Sequence, residues 1–372
     1  MEVKLPFYAK LVMVLLGIVL IVFVMITAKP VLVPLLISGF LAVLISPLTS
    51  WLERLRFPKG LAVVVSLIAL LALLAGLVYF FYNQLLGFAD DISALERRAG
   101  ELIAGFNEFL QQHIEGAVPI SMENLQTQIF QYLGRNTVAL TQGVIATATT
   151  LTMLFIMPVY IFLFLYFRRF LVQFLLMAFA DRHREKVQNV VHRVKGVVQN
   201  YITGMFLVIL ILAILNSIAL YSLGVKHALL FAAFAAMLNV IPFLGPFIGA
   251  ILPILYTLLT TDSLWVPFGV FLAFYFIQLA ESNFFTPKIV GGKVSMNPLM
   301  TIIALFVGNF IWGLAGMILF IPGMAILKVI FDEVEGLQAW GFLLGDAREA
   351  KIKRQRRTLM EQIQQVRGRF RV

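Results

Sequence analysis

The chain has 372 residues, of which 61% are hydrophobic and only 13% are charged, with a formal net charge of +10. An ordinary soluble domain is about 45–50% apolar with glycine included and about 25% charged, so this composition excludes a typical water-soluble protein. Because the chain has no cysteine, disulfides, iron–sulfur clusters, thiolate zinc sites and thiol nucleophiles are also excluded.

Long apolar runs without charges divide the chain into eight candidate membrane spans. A bilayer core about 30 Å thick needs about 20 apolar residues as a helix, and the alternating pattern of barrel strands is not visible. Backbone groups in lipid must be hydrogen-bonded within their own segment, so we predict an all-α, polytopic bundle of about eight transmembrane helices. The runs are 11–28, 30–52, 60–89, 136–167, 196–225, 228–261, 263–280 and 294–327.

Lysine and arginine predict the orientation of these spans. If the spans alternate, Lys4, Lys10, the turn 54–59, the segment 168–195 and the tail all fall on one side. Basic loops remain in the cytoplasm, so both termini are predicted to be cytoplasmic. The first run lacks a small-x-small cleavage site, which favours a retained helix over a signal peptide.

The insertion 90–143 falls on the opposite, external side and has a helical pattern. Six apolar residues recur at spacings of 3, 4, 3, 4 and 3, which predicts a narrow apolar stripe on a helix. Gly116 to Pro119 break the pattern, and Ser121 is a suitable N-cap for a second helix. The two helices would pack on each other, or their seam would contact a neighbouring subunit of a homo-oligomer. The stripe consists of Ile92, Leu95, Ala99, Leu102, Phe106 and Phe109.

The segment from Arg348 to Val372 is a basic tail with nine Lys or Arg and two Glu. In a soluble protein such a run would indicate nucleic-acid binding, but here it follows a span on the cytoplasmic side. Anionic lipid headgroups therefore explain it better, and no nucleic-acid partner is expected. Leu359, Ile363, Val366 and Phe370 supply the apolar face of an interfacial helix.

Helix-breaking residues are concentrated in the sixth run. Each proline removes a backbone donor and clashes with the preceding turn, so the helix must bend or break. A broken or re-entrant helix would line a substrate route, because free backbone groups at membrane depth require protein or water around them. The alternative is a kinked packing helix in which Gly245 and Gly249 allow close approach. The residues concerned are Asn239, Pro242, Gly245, Pro246, Gly249 and Pro253.

Glu281 ends the seventh run and is the strongest single candidate for a binding residue. An unpaired carboxylate at membrane depth is costly, so Glu281 should be paired, protonated or in contact with water. Gln278 lies one turn earlier, Asn283 lies two residues later, and Lys288 is a candidate counter-charge. The alternative is an external loop that holds Glu281 at the level of the headgroups.

In the eighth run, Gly308, Gly313, Gly316 and Pro322 predict close packing between helices rather than contact with a substrate.

No enzyme motif, P-loop or metal-binding cluster is visible, so we predict neither an enzyme, nor a cofactor, nor an ATP-driven pump. The predicted organisation has five parts. They are three spans (1–89), the external insertion (90–143), the fourth span with a basic cytoplasmic segment (144–200), a transport core (201–328) and the tail (329–372).

Taken in order, several short motifs resemble the autoinducer-2 exporter family of bacterial permease-like membrane proteins. Ser282 stands where glycine is common in that family, and Asn309 stands where a second glycine is frequent. The matching residues are Tyr201-Ile202-Thr203-Gly204, Leu223-Gly224-Val225, Ile241 to Pro246 with Pro253, Gln278 to Pro287, Asn297-Pro298-Leu299, Gly313 to Gly316 and Ile321-Pro322.

The resemblance implies a transporter of the bacterial inner membrane that forms a homo-oligomer, without naming its cargo. We expect export of a small polar solute through the broken segment and the Glu281 region, coupled to H⁺ or Na⁺ if Glu281 binds a cation. The first alternative is exchange of a monovalent cation for protons, with Glu281 alternating between the two. The second is an oligomeric membrane scaffold.

Overall fold

The computed structural model describes residues 6–89, 91–113, 155–179, 183–241, 244–291 and 296–345, and its regular elements in this part of the chain are all helices. The predicted all-α polytopic fold is therefore confirmed. The helices are α1 (Phe7–Thr27), α2 (Lys29–Arg54), α3 (Lys59–Ala89), α4 (Ile92–His113), α5 (Phe155–Tyr166), α6 (Arg168–Ala178), α7 (Arg184–Ser222), α8 (Ala228–Leu238), α9 (Leu244–Thr260), α10 (Trp265–Ala280), two π-helical segments (Glu281–Phe285 and Pro287–Gly291), α11 (Pro298–Trp312), α12 (Leu314–Glu333) and α13 (Gln338–Leu344).

Among the described residues, fewer than eight helices are long and apolar enough to cross a membrane. Six qualify within the described ranges: α1, α2, α3, α7, α12, and α10 extended through the π segments to Val290. The pair α5 and α6, bent by 65° at Phe167, would make a seventh. Residues 136–154 of the predicted fourth span lie outside the described residues.

Two predicted spans each contain two helices instead of one, and of these four helices only α12 is long enough to cross a membrane. The run 228–261 contains α8 and α9, and the run 294–327 contains α11 and most of α12. Long apolar runs satisfy a hydropathy criterion whether or not the chain reverses within them. The breaks lie at the Pro/Gly-rich segment in the first case and at Gly313 in the second.

The chain folds into two compact units that share α3, α7 and the helix that contains the π segments. The first unit comprises Met1–Leu67, Met157–Met205 and Thr286–Val372, and the second comprises Ile68–Ile156 and Phe206–Phe285.

The first unit contains the hairpin of α11 and α12. Gly313 forms its turn with a φ of +65°, a conformation that only glycine adopts readily. A Cβ atom on Gly316 would lie 1.8 Å from the carbonyl oxygen of Gly308, so the two backbones are in direct contact. Gly316 thus lies at the contact between α11 and α12, whereas Gly313 has open space around it and forms the turn. Pro322 is buried within α12.

Ion pairs join helix ends in the first unit. Arg168 Nη2 lies 2.6 Å from Glu53 Oε2, which links α6 to the end of α2. Lys186 Nζ lies 2.6 Å from Glu335 Oε1, and Arg193 pairs with Glu333. The start of α7 and the end of α12 are therefore adjacent at a charged end of this unit.

The second unit has a core formed by the end of α7 and by α8, α9 and α10. Its buried side chains include Leu220, Phe231, Ala235, Tyr256, Val270 and Phe274. Leu95 of the predicted external helix α4 packs against this core, so α4 contacts the helices of the second unit.

Candidate functional site

The Pro/Gly-rich segment breaks the chain into two helices that are too short to be ordinary spans. At 1.5 Å per residue, the 11 residues of α8 extend about 16 Å, about half of a bilayer core. Asn239 N donates to Ala235 O at the end of α8, and Gly245 N donates to Ile241 O at the start of α9. Asn239 is half-buried at this break, and Pro242 lies outside the described residues.

Glycines allow the two helices to lie directly against each other in antiparallel orientation. A Cβ atom on Gly245 would lie 1.8 Å from Leu238 O, and one on Gly249 would lie 2.8 Å from Ala235 Cα. Pro246 lies in the first turn of α9, where a missing N–H is tolerated. Pro253 is buried further along α9, and its carbonyl accepts a bond from Thr257 Oγ1 at 2.8 Å.

Both ends of this hairpin lie beside the corner between α3 and α4. At its start, Asp91 Oδ1 lies 2.6 Å from Lys226 Nζ, and Asp91 Oδ2 lies 2.9 Å from His227 Nε2. At its end, Asp262 pairs with Arg98 of α4. Since the chain enters and leaves at the same end of the second unit, α8 and α9 form a re-entrant hairpin.

Asp91 is the centre of a polar cluster that was not predicted from the sequence. Tyr256 Oη donates to Asp91 Oδ2 at 3.0 Å, in addition to the bonds from Lys226 and His227. The hydrogen bond from Lys226, followed by that from His227, lowers the pKa of Asp91 from 3.8 to about 2. The only sequence signal was an acid and two basic residues in loops predicted to lie on the same side of the membrane.

Glu281 lies at the start of the first π segment and is only 8% exposed. Gln278 Nε2 donates to Glu281 Oε2 at 2.7 Å, and Ser282 Oγ lies 3.3 Å from the same oxygen. Gln278 and Glu281, which the sequence placed one turn apart, are thus in direct contact. Pro287 interrupts the regular α-helical bonding here, and π turns of this kind occur often at functional sites.

The other two predicted members of this cluster are placed differently. Asn283 is exposed, and its Nδ2 donates to Leu279 O of its own helix at 2.8 Å. Lys288 lies in the second π segment, which belongs to the first unit. Its predicted pairing with Glu281 stays a prediction.

The hairpin break and Glu281 lie at the same depth in the second unit. Helices α9 and α10 are packed neighbours joined by a short connection, so they run antiparallel. Sixteen residues separate Thr260 from Leu244, and sixteen separate Trp265 from Glu281. Each distance corresponds to about 24 Å along a helix. The helix break between α8 and α9 and the buried Glu281 carboxylate therefore lie at the same level of the second unit, far from the corner that holds Asp91.

The chemistry of this level is that of hydrogen-bond acceptors. Carboxylates and the backbone carbonyls of broken helices bind protons, cations or the donor groups of a polar solute. Within the described ranges, no three His, Asp or Glu side chains are grouped closely enough to hold a metal ion.

Comparison with known proteins gives consistent matches over most of the chain. The sequence model described as AI-2E family transporter matches residues 11–336. The Bacillus subtilis protein YrrI is 25% identical over 306 residues, covering 81% of this chain and 86% of the relative. A Haemophilus influenzae relative is 25% identical over 334 residues, covering 87% and 92%. The Escherichia coli protein TqsA, named as an AI-2 transport protein, is 23% identical over 330 residues, covering 86% and 90%.

Proposed function

The chain belongs to the AI-2E family of transporters, and from this premise we propose that it exports a small polar solute across the bacterial inner membrane. The observation that carries the proposal is the coincidence in depth of the hairpin break and buried Glu281. A helix that merely anchors a protein in lipid has no need of a break beside a carboxylate. Such a level is favourable where a polar solute has to pass.

Glu281 is the residue on which export is proposed to depend. Its Oε2 is held by Gln278, so the carboxylate is kept in a fixed position at the level of the break. There it would bind a proton, a Na⁺ ion or a donor group of the solute. Because TqsA is named for AI-2 transport, AI-2 is the first solute to test.

The test is solute flux in proteoliposomes that contain the full chain. We expect Glu281→Gln to abolish coupled flux, since the amide keeps the size of the side chain but neither ionises nor binds a cation as strongly. Asp262→Asn is the matched control, because Asp262 is an exposed acid at the opposite end of α9. Flux that is unchanged in Glu281→Gln would exclude this role.

The same buried carboxylate supports a second candidate function, exchange of a monovalent cation for protons. In this case Glu281 would release a proton when Na⁺ binds. Vesicles containing a pH-sensitive dye would report a pH change after addition of Na⁺, and Glu281→Gln would abolish it. A dye signal that does not respond to Na⁺ excludes the exchanger and leaves solute export as the proposal.

The proposed orientation places both termini in the cytoplasm, with the basic tail on anionic lipid headgroups. The basic tail 348–372 and residues 114–143 of the insertion lie outside the described residues. Leu102 and Phe106 of α4 are 42% and 49% exposed, which supports a homo-oligomer in which this stripe contacts a neighbouring subunit. Their accessibility in a single subunit is also compatible with packing against the second predicted helix of the insertion.

A further inference from the structure

Asn216 is a buried polar residue in the membrane-spanning part of α7. It is 5% exposed and lies on a buried stripe with Val208, Leu212 and Leu220. The four positions follow one another at four-residue spacing on one side of the helix, and Asn216 is the polar residue among three buried aliphatic ones. Leu220, one turn away, belongs to the core that packs against the re-entrant hairpin.

The amide oxygen of Asn216 has no hydrogen-bond donor in the part of the chain that the structure describes. The other buried polar side chains that the structure describes in the second unit have hydrogen-bond partners, as Thr257 Oγ1 does in donating to Pro253 O. Ser217, the next residue in α7, donates to Ala213 O at 2.6 Å. An unsatisfied amide in an apolar environment destabilises a protein relative to an apolar side chain of the same size.

The position of Asn216 along α7 places it close to the level of the Gln278–Glu281 pair. A Cβ atom on Gly269 would lie 3.1 Å from Leu223 Cδ2, so the end of α7 meets the start of α10. Asn216 is seven residues before Leu223, about 11 Å along the helix, and Gln278 is nine residues after Gly269, about 14 Å. Asn216 is therefore about 3 Å nearer than Gln278 to the end that holds Asp91.

We propose that the Asn216 amide oxygen is a solute-binding acceptor, one step outward from Glu281 on the export route. This inference rests on the proposed function and defines the class of solute. Asn216 Oδ1 and the Glu281 carboxylate both accept hydrogen bonds, so together they select solutes that carry hydroxyl or ammonium donors and are neutral or cationic. Anionic solutes are disfavoured by the carboxylate.

The first test is the reactivity of single cysteines with small hydrophilic thiol reagents. Because the chain has no cysteine, Asn216→Cys, Leu212→Cys and Leu220→Cys each introduce one thiol. The cationic reagent 2-aminoethyl methanethiosulfonate should modify Asn216→Cys at least about tenfold faster than either control. The two control thiols replace leucines that are buried among apolar side chains and have no polar group to offer a solute. The anionic 2-sulfonatoethyl reagent should react more slowly at Asn216→Cys. Equal rates at the three positions would overturn the site.

The second test compares Asn216→Leu with the unmodified protein. If the amide serves a solute, the leucine variant should unfold at the same or a higher temperature in detergent and should lose flux. A lower unfolding temperature would show that Asn216 has a structural role and would refute the inference. Failure at Asn216 is distinguishable from failure of the proposed function, since Glu281→Gln tests the latter independently and thiol labelling requires no transported solute.

Discussion

At the scale of single residues, Asp91 makes an unusually large share of the polar contacts that hold the re-entrant hairpin. One of its oxygens binds Lys226, and the other accepts bonds from His227 and Tyr256. The ring of Phe88 packs edge-on against His227, with ring centroids 5.7 Å apart. A single carboxylate thus joins the end of α3 to both helices of the hairpin.

Stability should consequently depend on pH in acid. The pKa of Asp91 is lowered from 3.8 to about 2 in the folded protein, so its contribution is complete above pH 4 and is lost as the pH falls toward 2. We expect the unfolding temperature in detergent to fall over this range and the fall to be smaller in Asp91→Asn.

Asp262→Asn is the control for this experiment, because the Asp262 side chain is 93% exposed and contributes little. Identical pH profiles for Asp91→Asn and the unmodified protein would contradict the assigned role of Asp91.

At the site, contacts between residues close together in the chain could be predicted from the sequence, and contacts between distant residues could not. Gln278 and Glu281 are three residues apart, and helix geometry alone predicts their contact. Asp91 and His227 are 136 residues apart in the chain. Their pairing depends on how α3 packs against the hairpin, which one sequence does not specify. Asn216 could have been noticed as an amide in an apolar run, but its unsatisfied oxygen depends on its neighbours in space.

At the scale of elements, the two hairpins depend on contacts that have room only for glycine. The position of Gly245 is the most demanding in the second unit, because a Cβ atom there would overlap the carbonyl of Leu238. The backbone of α8 cannot move away without opening the hairpin. The two helices are therefore so close at this position that only glycine, which has no side chain, fits between them.

We expect Gly245→Ala to destabilise the protein by more than about 2 kcal/mol through overpacking. Gly76→Ala is the matched control, because Gly76 lies within α3 and a Cβ atom there meets nothing within 4 Å. Alanine favours helix over glycine, so the control should be neutral or stabilising by less than about 1 kcal/mol. Thermal unfolding in detergent measures both, and equal stabilities of the two variants would refute the packing argument.

The density of prolines and glycines predicted that the sixth run could not remain one helix, but it did not decide between a broken span and a re-entrant reversal. Whether a broken helix bends or turns back depends on tertiary contacts such as that between Ala235 and Gly249. In the last run the sequence signal was weaker still. Gly313 is one of several glycines within a continuous apolar stretch, and glycine is common in membrane helices for reasons of packing.

At the scale of the whole molecule, the two hairpins change the number of crossings without changing which side the termini occupy. Each hairpin returns the chain to the side from which it entered, so neither adds a net crossing. Replacing two of the eight predicted spans by hairpins leaves six predicted crossings, and both numbers are even. The cytoplasmic position of both termini, predicted from basic residues, is compatible with either count.

Labelling of single cysteines tests this topology. Ser263→Cys lies between α9 and α10 and should react with a membrane-impermeant reagent in intact cells. Gln338→Cys lies at the start of α13 and should react only after the cells are permeabilised. Both positions are exposed in the structure, so a difference in labelling reports the side of the membrane. Labelling of both in intact cells would contradict the proposed orientation.

With a length of about 16 Å, α8 cannot remain across the bilayer by itself while the ribosome is still adding α9. The polar backbone groups at its broken end would then lie in hydrocarbon without partners. The two helices therefore have to leave the translocation channel together, after Gly245 and Gly249 have packed against α8. The glycine contacts that define the finished hairpin thus also set the smallest segment that can be inserted in one step during synthesis.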